Sequence, residues 1–285
     1  MTKNLRRALD EIILEHGPWT AHNIQLASGI YTMGSDGFDR AQKRSHLYYK
    51  LYRNLKGRTR FRGLKVLDLG CLEGGISIYL AKQGAVCTGI DVRTSHLIKA
   101  RFAANVLGVG KRCNWLEGDV TDQTIWKRLG KYDLVICSGL LYHIAACDII
   151  PLLKNLKASS KQNGLTILDS NISFQPADKF FVDNNLTLHG NTWIEHNKSA
   201  SIEERIAANW SSMMNDDAFW LTERSLTNAL VYSGYGTVIK SLYPYHEWAH
   251  QMRDIWIAFG DNPDIAKFPY RNDPDLRPIE HPGLK

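Results

Sequence analysis

Short apolar runs alternate along the chain with longer stretches in which apolar residues recur at helical spacing. In chain order, beginning at residue 64, the runs read LKVLDLG, AVCTGID, CNWLEGD, YDLVICSG and LTILDSN. The stretches between them predict helices over residues 75–83, 94–107, 124–129 and 148–158. Strands that alternate with helices indicate βαβ units and a doubly wound parallel sheet. Strands that are apolar almost throughout are typical of a sheet covered on both faces.

This alternation breaks at about residue 172. The sequence beyond it predicts an inserted lid or hairpin, helices over 201–209 and 222–233, and two closing strands, TVIKSLY and DIWIAFG. The last residues contain five of the nine prolines, which predicts an irregular tail. We therefore predict a helical N-terminal segment over 1–60, a main domain over 61–260 with an insertion over about 172–220, and a tail over 261–285.

The composition is that of a globular protein. Of 285 residues, 44% are hydrophobic and 22% are charged, which is enough to bury a core. No stretch approaches the ~20 apolar residues of a membrane span, and the N-terminus lacks the apolar run of a signal peptide. The five cysteines are odd in number and form no CxxC pair. We expect a soluble, cytoplasmic protein without a disulfide framework, a structural zinc or a membrane partner.

The positive charge is unevenly spread. The net charge is +6, and between Arg40 and Lys65 there are ten Lys or Arg residues and no acid. Such a run could face the phosphates of a nucleic acid or of a small anionic substrate. Alternatively it is the solvated face of a helix whose buried side carries Leu47, Leu51 and Leu55. The second interpretation is favoured over polynucleotide binding, because the aromatic and glycine signatures of RNA-binding modules are absent.

A glycine-rich turn follows the first strand of the predicted sheet. It reads LDLGCLEGG, with glycines at 70, 74 and 75 that let the backbone approach a ligand closely. The turn lacks the second glycine of the dinucleotide-binding pattern GxGxxG. It also carries Asp68, whereas a pyrophosphate favours backbone amides and a helix N-terminus. The turn therefore suits a cationic ligand better than a dinucleotide.

Four motifs in this order resemble the class I S-adenosylmethionine-dependent methyltransferases. VLDLGCLEGG is similar to their first motif, with Leu72 where glycine is commonest, and TGIDV places Asp91 at the end of the second strand. LEGDV and YDLVICSGLLYHI are similar to the third and fourth motifs. The resemblance implies a Rossmann-like, mostly parallel seven-stranded sheet, with an N-terminal helical extension and a lid insertion. It also implies S-adenosyl-L-methionine as co-substrate.

The resemblance also implies roles for individual residues. Asp68 and the backbone of residues 70–73 would receive the methionine end, and Asp91 would accept both ribose hydroxyls. Valines would sandwich the adenine, and an acid would contact its amino group. The implied cofactor-binding residues are Asp68, Gly70, Cys71, Leu72, Gly74, Asp91, Val92, Asp119, Val120, Ser138 and Leu140. Alternatively, Asp91 caps a helix, Asp119 belongs to a turn, and Glu73 faces solvent.

Three acids and bases are candidates for catalysis. His143 follows the fourth strand and is the best candidate for a general base, or else it is a structural histidine that caps the next helix. Glu195, with His196 beside it, is a second candidate, or else lies on the surface of the lid. Asp169 ends the strand LTILD on the ligand side of the sheet, or else is a turn acid.

Aromatic residues cluster in the segments that would cover the site. We expect the acceptor to contact Trp19, His22, Tyr31, Tyr142 and Trp193, although each aromatic residue could equally build the core. The histidines show neither HxH nor HExxH spacing, so no metal is expected.

The chain is also similar to a bacterial group of methyltransferases with CLEG in the first motif and LLYH in the fourth, over about residues 19–241. Members of that group differ in acceptor. We predict methyl transfer to an O, N or C nucleophile of a small molecule, in secondary metabolism. Two alternatives stay open: a tRNA-modifying (carboxy)methyltransferase that uses the basic residues 40–65, and a non-catalytic binding subunit. Nucleic acid is the less favoured partner, and the oligomeric state is open.

Overall fold

Two helices and a small hairpin precede the sheet in the computed structural model, which describes residues 2–34, 40–57, 60–241 and 253–260. They are α1 (Thr2–His16), β1 (Gln25–Ala27), β2 (Ile30–Tyr31) and α2 (Arg40–Lys56). Leu9 of α1 and Leu47 of α2 are buried in a hydrophobic cluster that also contains residues of the sheet. The N-terminal segment thus shares a core with the main domain. The predicted tail lies outside the described residues.

One seven-stranded sheet organises the rest of the chain. Its elements and those that follow are β3 (Lys65–Leu69), α3 (Gly75–Lys82), β4 (Val86–Asp91), α4 (Thr94–Val106), β5 (Cys113–Glu117), α5 (Gln123–Trp126), β6 (Tyr132–Ser138), α6 (Ala146–Ser159), β7 (Ser160–Asn171), β8 (Asp178–Asp183), β9 (Leu186–Ile194), α7 (Ile202–Ala207), β10 (Asp217–Leu221), α8 (Glu223–Tyr232), β11 (Thr237–Ser241) and β12 (Arg253–Phe259). The strand order is β11-β12-β7-β6-β3-β4-β5, and only the pairings of β12 are antiparallel. The predicted doubly wound α/β fold is confirmed.

Both faces of the sheet are covered, as the apolar strands predict. In β6, Leu134 and Ile136 belong to one buried cluster, while Val135 and Cys137 belong to another. Successive residues of a strand point to opposite faces, so a strand without polar residues serves two cores. The first cluster receives α1 and α2, and the second receives α6 and α8.

The predicted insertion forms a small antiparallel sheet and a short helix. Strands β8, β9 and β10 pair in the order β10-β9-β8, and α7 lies between β9 and β10 in the chain. Leu188 and Phe219 of this sheet are buried with Leu226 of α8 in the second cluster. The insertion is therefore anchored to the main domain.

The buried side of α2 agrees with the prediction only in part. Leu47 is buried and Leu51 packs against the same cluster, whereas Leu55 is 39% exposed. Tyr48 and Tyr52 are also buried, so the buried face is wider than the leucine spacing predicts. Arg44, from the basic run, lies on the side of α2 that faces the ligand cavity.

Candidate active site

A cavity of about 330 Å³ opens beyond the carboxyl ends of the central parallel strands. It lies where the chain order reverses, because β3 is flanked by β4 on one side and by β6 on the other. Open α/β sheets bind ligands at such a switch point. The predicted site residues that line it are Gly70, Cys71, Leu72, Asp91, Val92, Asp119, Val120, Ser138, Leu140, His22, Tyr142 and His143.

The turn after β3 is held in an unusual backbone conformation. Leu72 has φ +46°, and no other described residue apart from glycines has a positive φ. Its N–H donates to Asp91 Oδ2 at 2.9 Å. A left-handed conformation costs a residue with a side chain about 1–2 kcal/mol. The hydrogen bond to Asp91 therefore helps to hold the turn in the shape that forms the cavity wall.

Asp91 ends β4 and is 5% exposed. Its Oδ1 accepts the N–H of Arg93 at 2.9 Å and lies 3.1 Å from His96 Nδ1. A carboxylate has about four acceptor positions, and Leu72, Arg93 and His96 use three of them, so about one is left for the cavity side. Asp119 also lines the cavity, and its Oδ1 accepts the N–H of Thr121 at 2.8 Å. Asp119 is therefore both a turn residue and part of the wall.

Asp68 and Gly74 lie outside the cavity lining. Asp68 is 1% exposed behind the turn and accepts the Ser77 hydroxyl at 2.8 Å. Burial raises its pKa to about 7. A Cβ on Gly74 would lie 2.4 Å from the Trp115 ring, so this glycine serves packing. Their implied role in binding the donor stays a prediction.

Glu73 fastens the N-terminal segment to the turn. Its side chain is fully buried and accepts the Thr20 N–H at 2.6 Å, with Lys99 Nζ 3.9 Å away. Lys99 in turn donates to the Pro18 carbonyl at 2.8 Å. These contacts bring His22 to the cavity, where its Nδ1 accepts the Gly75 N–H at 2.9 Å. Glu73 is therefore structural, and the expectation that it faces solvent is wrong.

His143 and Glu195 form a dyad at the cavity. His143 Nδ1 lies 2.7 Å from Glu195 Oε1, and Glu195 Oε2 accepts the Ser212 N–H at 2.8 Å. An ionised carboxylate only accepts hydrogen bonds, so His143 Nδ1 carries the hydrogen and Nε2 is left as a proton acceptor. Glu195 itself does not line the cavity. The arrangement suits a general base and the group that orients it.

Asp169 lies below the cavity wall and binds two arginines. It is 2% exposed, forms an ion pair with Arg253 Nε, and lies 3.6 Å from Arg44 Nε. It also accepts the Tyr48 hydroxyl at 2.6 Å. Burial alone would raise its pKa, but the two guanidinium groups and the tyrosine hydroxyl lower it. A carboxylate with a lowered pKa and several donors is a poor base, so the predicted catalytic role of Asp169 does not fit.

A segment from the insertion covers the cavity and is tied to it by Arg93. Residues 209–215 line the cavity. Arg93 Nη2 donates to the carbonyls of Arg205, Ala208 and Ser211 at 3.0, 3.0 and 3.1 Å. Asn215 Nδ2 donates to the His143 carbonyl at 2.7 Å. The cover is thus bonded to Arg93, two residues after Asp91, and to the loop after β6.

Three predicted aromatic contacts lie elsewhere. Trp19 is buried against Phe102, with ring centroids 6.2 Å apart. Tyr31 belongs to the N-terminal hairpin, and Trp193 stacks on Trp220 with centroids 4.8 Å apart and is 53% exposed. None of the three lines the cavity. The wall residues missed by the sequence reasoning include Arg44, Arg93, Asn171 and Arg253, and no local motif marks them.

The described ranges contain neither a cluster of metal-binding side chains nor a membrane-spanning helix. No cluster of three His, Cys, Asp or Glu side chains there is arranged to hold a metal ion. Across the same ranges, no helix is both long enough and apolar enough to cross a membrane.

Known proteins are similar to this chain in sequence and in fold. Residues 66–164 match the family model described as "Methyltransferase domain". The chain is 36% identical over 105 residues to the ubiquinone biosynthesis O-methyltransferase of Actinobacillus pleuropneumoniae serotype 5b (strain L20). The aligned residues cover 36% of this chain and 44% of that protein. It is 33% identical over 102 residues to the same-named protein of Vibrio campbellii (strain ATCC BAA-1116). That alignment covers 36% of this chain and 41% of that protein. The chain thus spans less than half the length of these relatives.

Solved structures extend the likeness to most of the chain. The N-terminal domain of EvdMO1, in the presence of SAH and D-fucose, superposes with a TM-score of 0.67 and 21% identity, over 90% of this chain and 97% of that one. Magnesium protoporphyrin IX methyltransferase (ChlM) from Synechocystis PCC 6803, with bound SAM, superposes with a TM-score of 0.50 and 19% identity. The superposition covers 80% of this chain and 87% of that one. The fold is therefore that of a class I methyltransferase. Residues 66–164 thus match a methyltransferase domain in sequence, and most of the chain shares the fold of these solved structures.

Proposed function

We propose that this protein transfers a methyl group from S-adenosyl-L-methionine to a nucleophile of a small molecule. The observation that carries the proposal is a single cavity that joins Asp91 and Asp119 at one end to the His143–Glu195 dyad further along. The matched relatives are named O-methyltransferases, which favours oxygen as the acceptor atom. A role in secondary metabolism stays a prediction.

The wall residues fit the donor's nucleoside. Asp91 keeps acceptor capacity toward the cavity for a ribose hydroxyl group, a charge-assisted contact. Val92 and Val120 offer apolar surface for a flat base, and Asp119 lies beside them. A Cβ on Gly70 would lie 3.2 Å from Leu140, so the absence of a side chain there keeps the passage between the turn and the loop after β6 open.

The methyl group of the donor is activated by its positive sulfur, so the protein's residues need mainly to position the acceptor and handle its proton. As the bond from sulfur to the methyl carbon breaks and the new bond to the acceptor oxygen forms, His143 Nε2 takes the hydroxyl proton. Glu195 stabilises the resulting imidazolium and fixes the ring. The cover formed by residues 209–215 excludes water.

Binding of S-adenosylhomocysteine, measured by titration calorimetry, tests the donor site. We expect micromolar or tighter binding to the wild type. Asp91→Asn removes the charge but keeps the shape, and should weaken binding by about 10- to 100-fold, because hydrogen bonds to a charged group contribute about 1.5–3 kcal/mol. Asp10→Asn, on the exposed face of α1, is the matched control. Absence of binding to the wild type would overturn the proposal.

The tRNA alternative and the binding-subunit alternative stay predictions with separate tests. RNA binding through α2 should weaken steeply with salt and with charge reversal at exposed Lys43 and Lys50. A binding subunit should bind the donor but transfer no labelled methyl group to any compound of a cell extract.

A further inference from the structure

The pairing of β9 and β10 brings both members of the dyad close to the residues that precede β10. Glu195 directly follows β9, and its N–H donates to the Asp216 carbonyl at 2.9 Å. The Phe219 N–H of β10 donates to the carbonyl of Ile144 at 2.9 Å, directly after His143. The loop that carries the base and the strand end that carries the acid are thus bonded to one segment of the chain.

Within that segment, residues 212–215 form a turn that contacts both members of the dyad, and we call it the dyad turn. The Ser212 N–H donates to Glu195 Oε2 at 2.8 Å, and Asn215 Nδ2 donates to the His143 carbonyl at 2.7 Å. One bond holds the acid, and the other holds the backbone of the base. Four consecutive residues therefore bridge two groups that lie 52 residues apart in the chain.

The side-chain amide of Asn215 uses all of its polar groups. Besides the bond to His143, Nδ2 donates to the Asp217 carbonyl at 2.9 Å, and Oδ1 accepts the Ser212 hydroxyl at 2.9 Å. An asparagine amide has two N–H hydrogens, and both have a carbonyl acceptor here. Turning the amide over would place its oxygen against those carbonyls, so one orientation is favoured. The donor to the His143 carbonyl is therefore held in place.

The dyad turn is also anchored at its beginning. Arg93 Nη2 donates to the Ser211 carbonyl at 3.1 Å, directly before the turn. His196, which follows the acid of the dyad, donates its Nε2 hydrogen to the Ser212 carbonyl. The bond from Asn215 to the base therefore comes from a segment that two other parts of the fold hold.

The base is the less constrained member of the dyad. The side chain of His143 is 22% exposed, whereas that of Glu195 is 1% exposed. His143 is the last residue of a single helical turn, Leu141–His143. A bond to its carbonyl fixes the plane of the following peptide group, and with it the direction in which the side chain leaves the backbone. A displacement of a reacting group by about 1 Å can cost about 100-fold in rate, so this bond bears on the reaction.

We propose that Asn215 is a positioning residue for the base. Its amide holds the His143 backbone so that Nδ1 faces Glu195 and Nε2 is left for the acceptor, while the Ser212 N–H fixes the acid from the same turn. This rests on the proposed function, because it adds a residue to the same dyad. Asn215 takes no proton and acts through His143 alone.

NMR spectra of the full-length protein with isotope-labelled histidine test the geometry, with and without S-adenosylhomocysteine. The His143→Ala variant identifies the signal of the base. We expect the wild-type ring to carry its hydrogen on Nδ1 when neutral, and Asn215→Ala to give a mixture of the two tautomers, because the ring is no longer held against Glu195. Asn184→Ala, in the exposed turn between β8 and β9, is the matched control and should leave the signal unchanged.

Transfer of a labelled methyl group to an acceptor identified in cell extract tests the consequence for the reaction. Asn215→Ala should lower kcat by about 10- to 100-fold, with KM and S-adenosylhomocysteine affinity nearly unchanged. In the His143→Ala background the same substitution should have almost no effect on kcat, because the residue that it positions is gone. If Asn215→Ala does not fold, Ser212→Ala removes the hydroxyl that holds the amide and keeps the N–H to Glu195. It should shift the tautomers and kcat in the same direction, by less.

An unchanged histidine signal in the Asn215 and Ser212 variants would overturn the inference, because the base would then be oriented without the amide. An equal loss of kcat in the His143→Ala background would overturn it as well, since the turn would then have a structural role only. Failure of the wild type to bind S-adenosylhomocysteine would instead contradict the proposed function. The spectra of the free protein would then still decide whether Asn215 orients the ring.

Discussion

Replacing Glu195 by glutamine tests whether the dyad acts as a base. The carboxylate accepts from His143 at 2.7 Å and from the Ser212 N–H at 2.8 Å, and its side chain is 1% exposed. A glutamine amide has one oxygen for these two donors. If that oxygen keeps the backbone N–H, the amide NH₂ faces His143 Nδ1 and favours the tautomer with hydrogen on Nε2. The imidazole then presents a hydrogen to the acceptor where it should present a lone pair.

The loss can be estimated from the contribution of general bases, about 10²- to 10⁴-fold in rate, or about 2.7–5.4 kcal/mol of barrier. We expect kcat to fall by this range, with KM and S-adenosylhomocysteine affinity nearly unchanged. The assay is transfer of a labelled methyl group to an acceptor identified in cell extract, followed across pH. Because the two residues act as a unit, Glu195→Gln should cost little further in a His143→Ala background. A kcat within threefold of the wild type, or additive losses in the double variant, would refute the reasoning.

Three other substitutions probe the framework. Leu72→Gly relieves the positive φ and should leave the free energy of unfolding unchanged or raise it by about 1 kcal/mol, as measured with urea; a clear loss would contradict the strain argument. Burial raises the pKa of Asp68 from 3.8 to about 7, so the native state should lose stability as the pH rises between these two values. The free energy of unfolding of Asp68→Asn, relative to that of the wild type, should therefore increase from pH 4 to pH 7; a decrease would contradict this. Arg93→Gln removes the donor to three carbonyls, and should speed hydrogen exchange in residues 205–211 while exchange in β6 stays constant; equal protection in both proteins would contradict the tether.

The parts of the site that are predictable from sequence are those coded by local segments. Each strand–turn–helix unit places its polar residue at the end of a strand, so the cavity-side positions of Asp91, Asp119 and His143 follow once the sheet is predicted. The apolar strands also predict two covered faces. Leucine spacing in α2 predicts the burial of Leu47 and the partial burial of Leu51, but not that Tyr48 and Tyr52 share the buried side or that Leu55 is exposed.

The contacts that sequence reasoning missed join residues far apart in the chain. His143 and Glu195 were separate candidates, 52 residues apart, and only the fold of the insertion brings them together. Arg93 reaches carbonyls 112 to 118 residues away. Every residue has a backbone carbonyl, so no pattern of residue types predicts which carbonyls Arg93 binds. Asp68 is the residue before the last of β3 and Asp91 is the last of β4, yet only the packing decides that one faces Ser77 and the other the cavity.

The Glu73 and Arg93 contacts bear on how enzymes of this kind could be recombined. The stretch 66–164 carries Asp91, Asp119 and His143 of the cavity wall, whereas the flanking sequence supplies His22, Arg44, Arg253 and the cover. The flanking segments are hydrogen-bonded to the central stretch through these two buried side chains. Glu73 accepts the N–H of residue 20, and Arg93 donates to carbonyls of residues 205–211. A chimaera that imports another acceptor half must therefore keep both docking points, and one that does so can change its acceptor while retaining its donor.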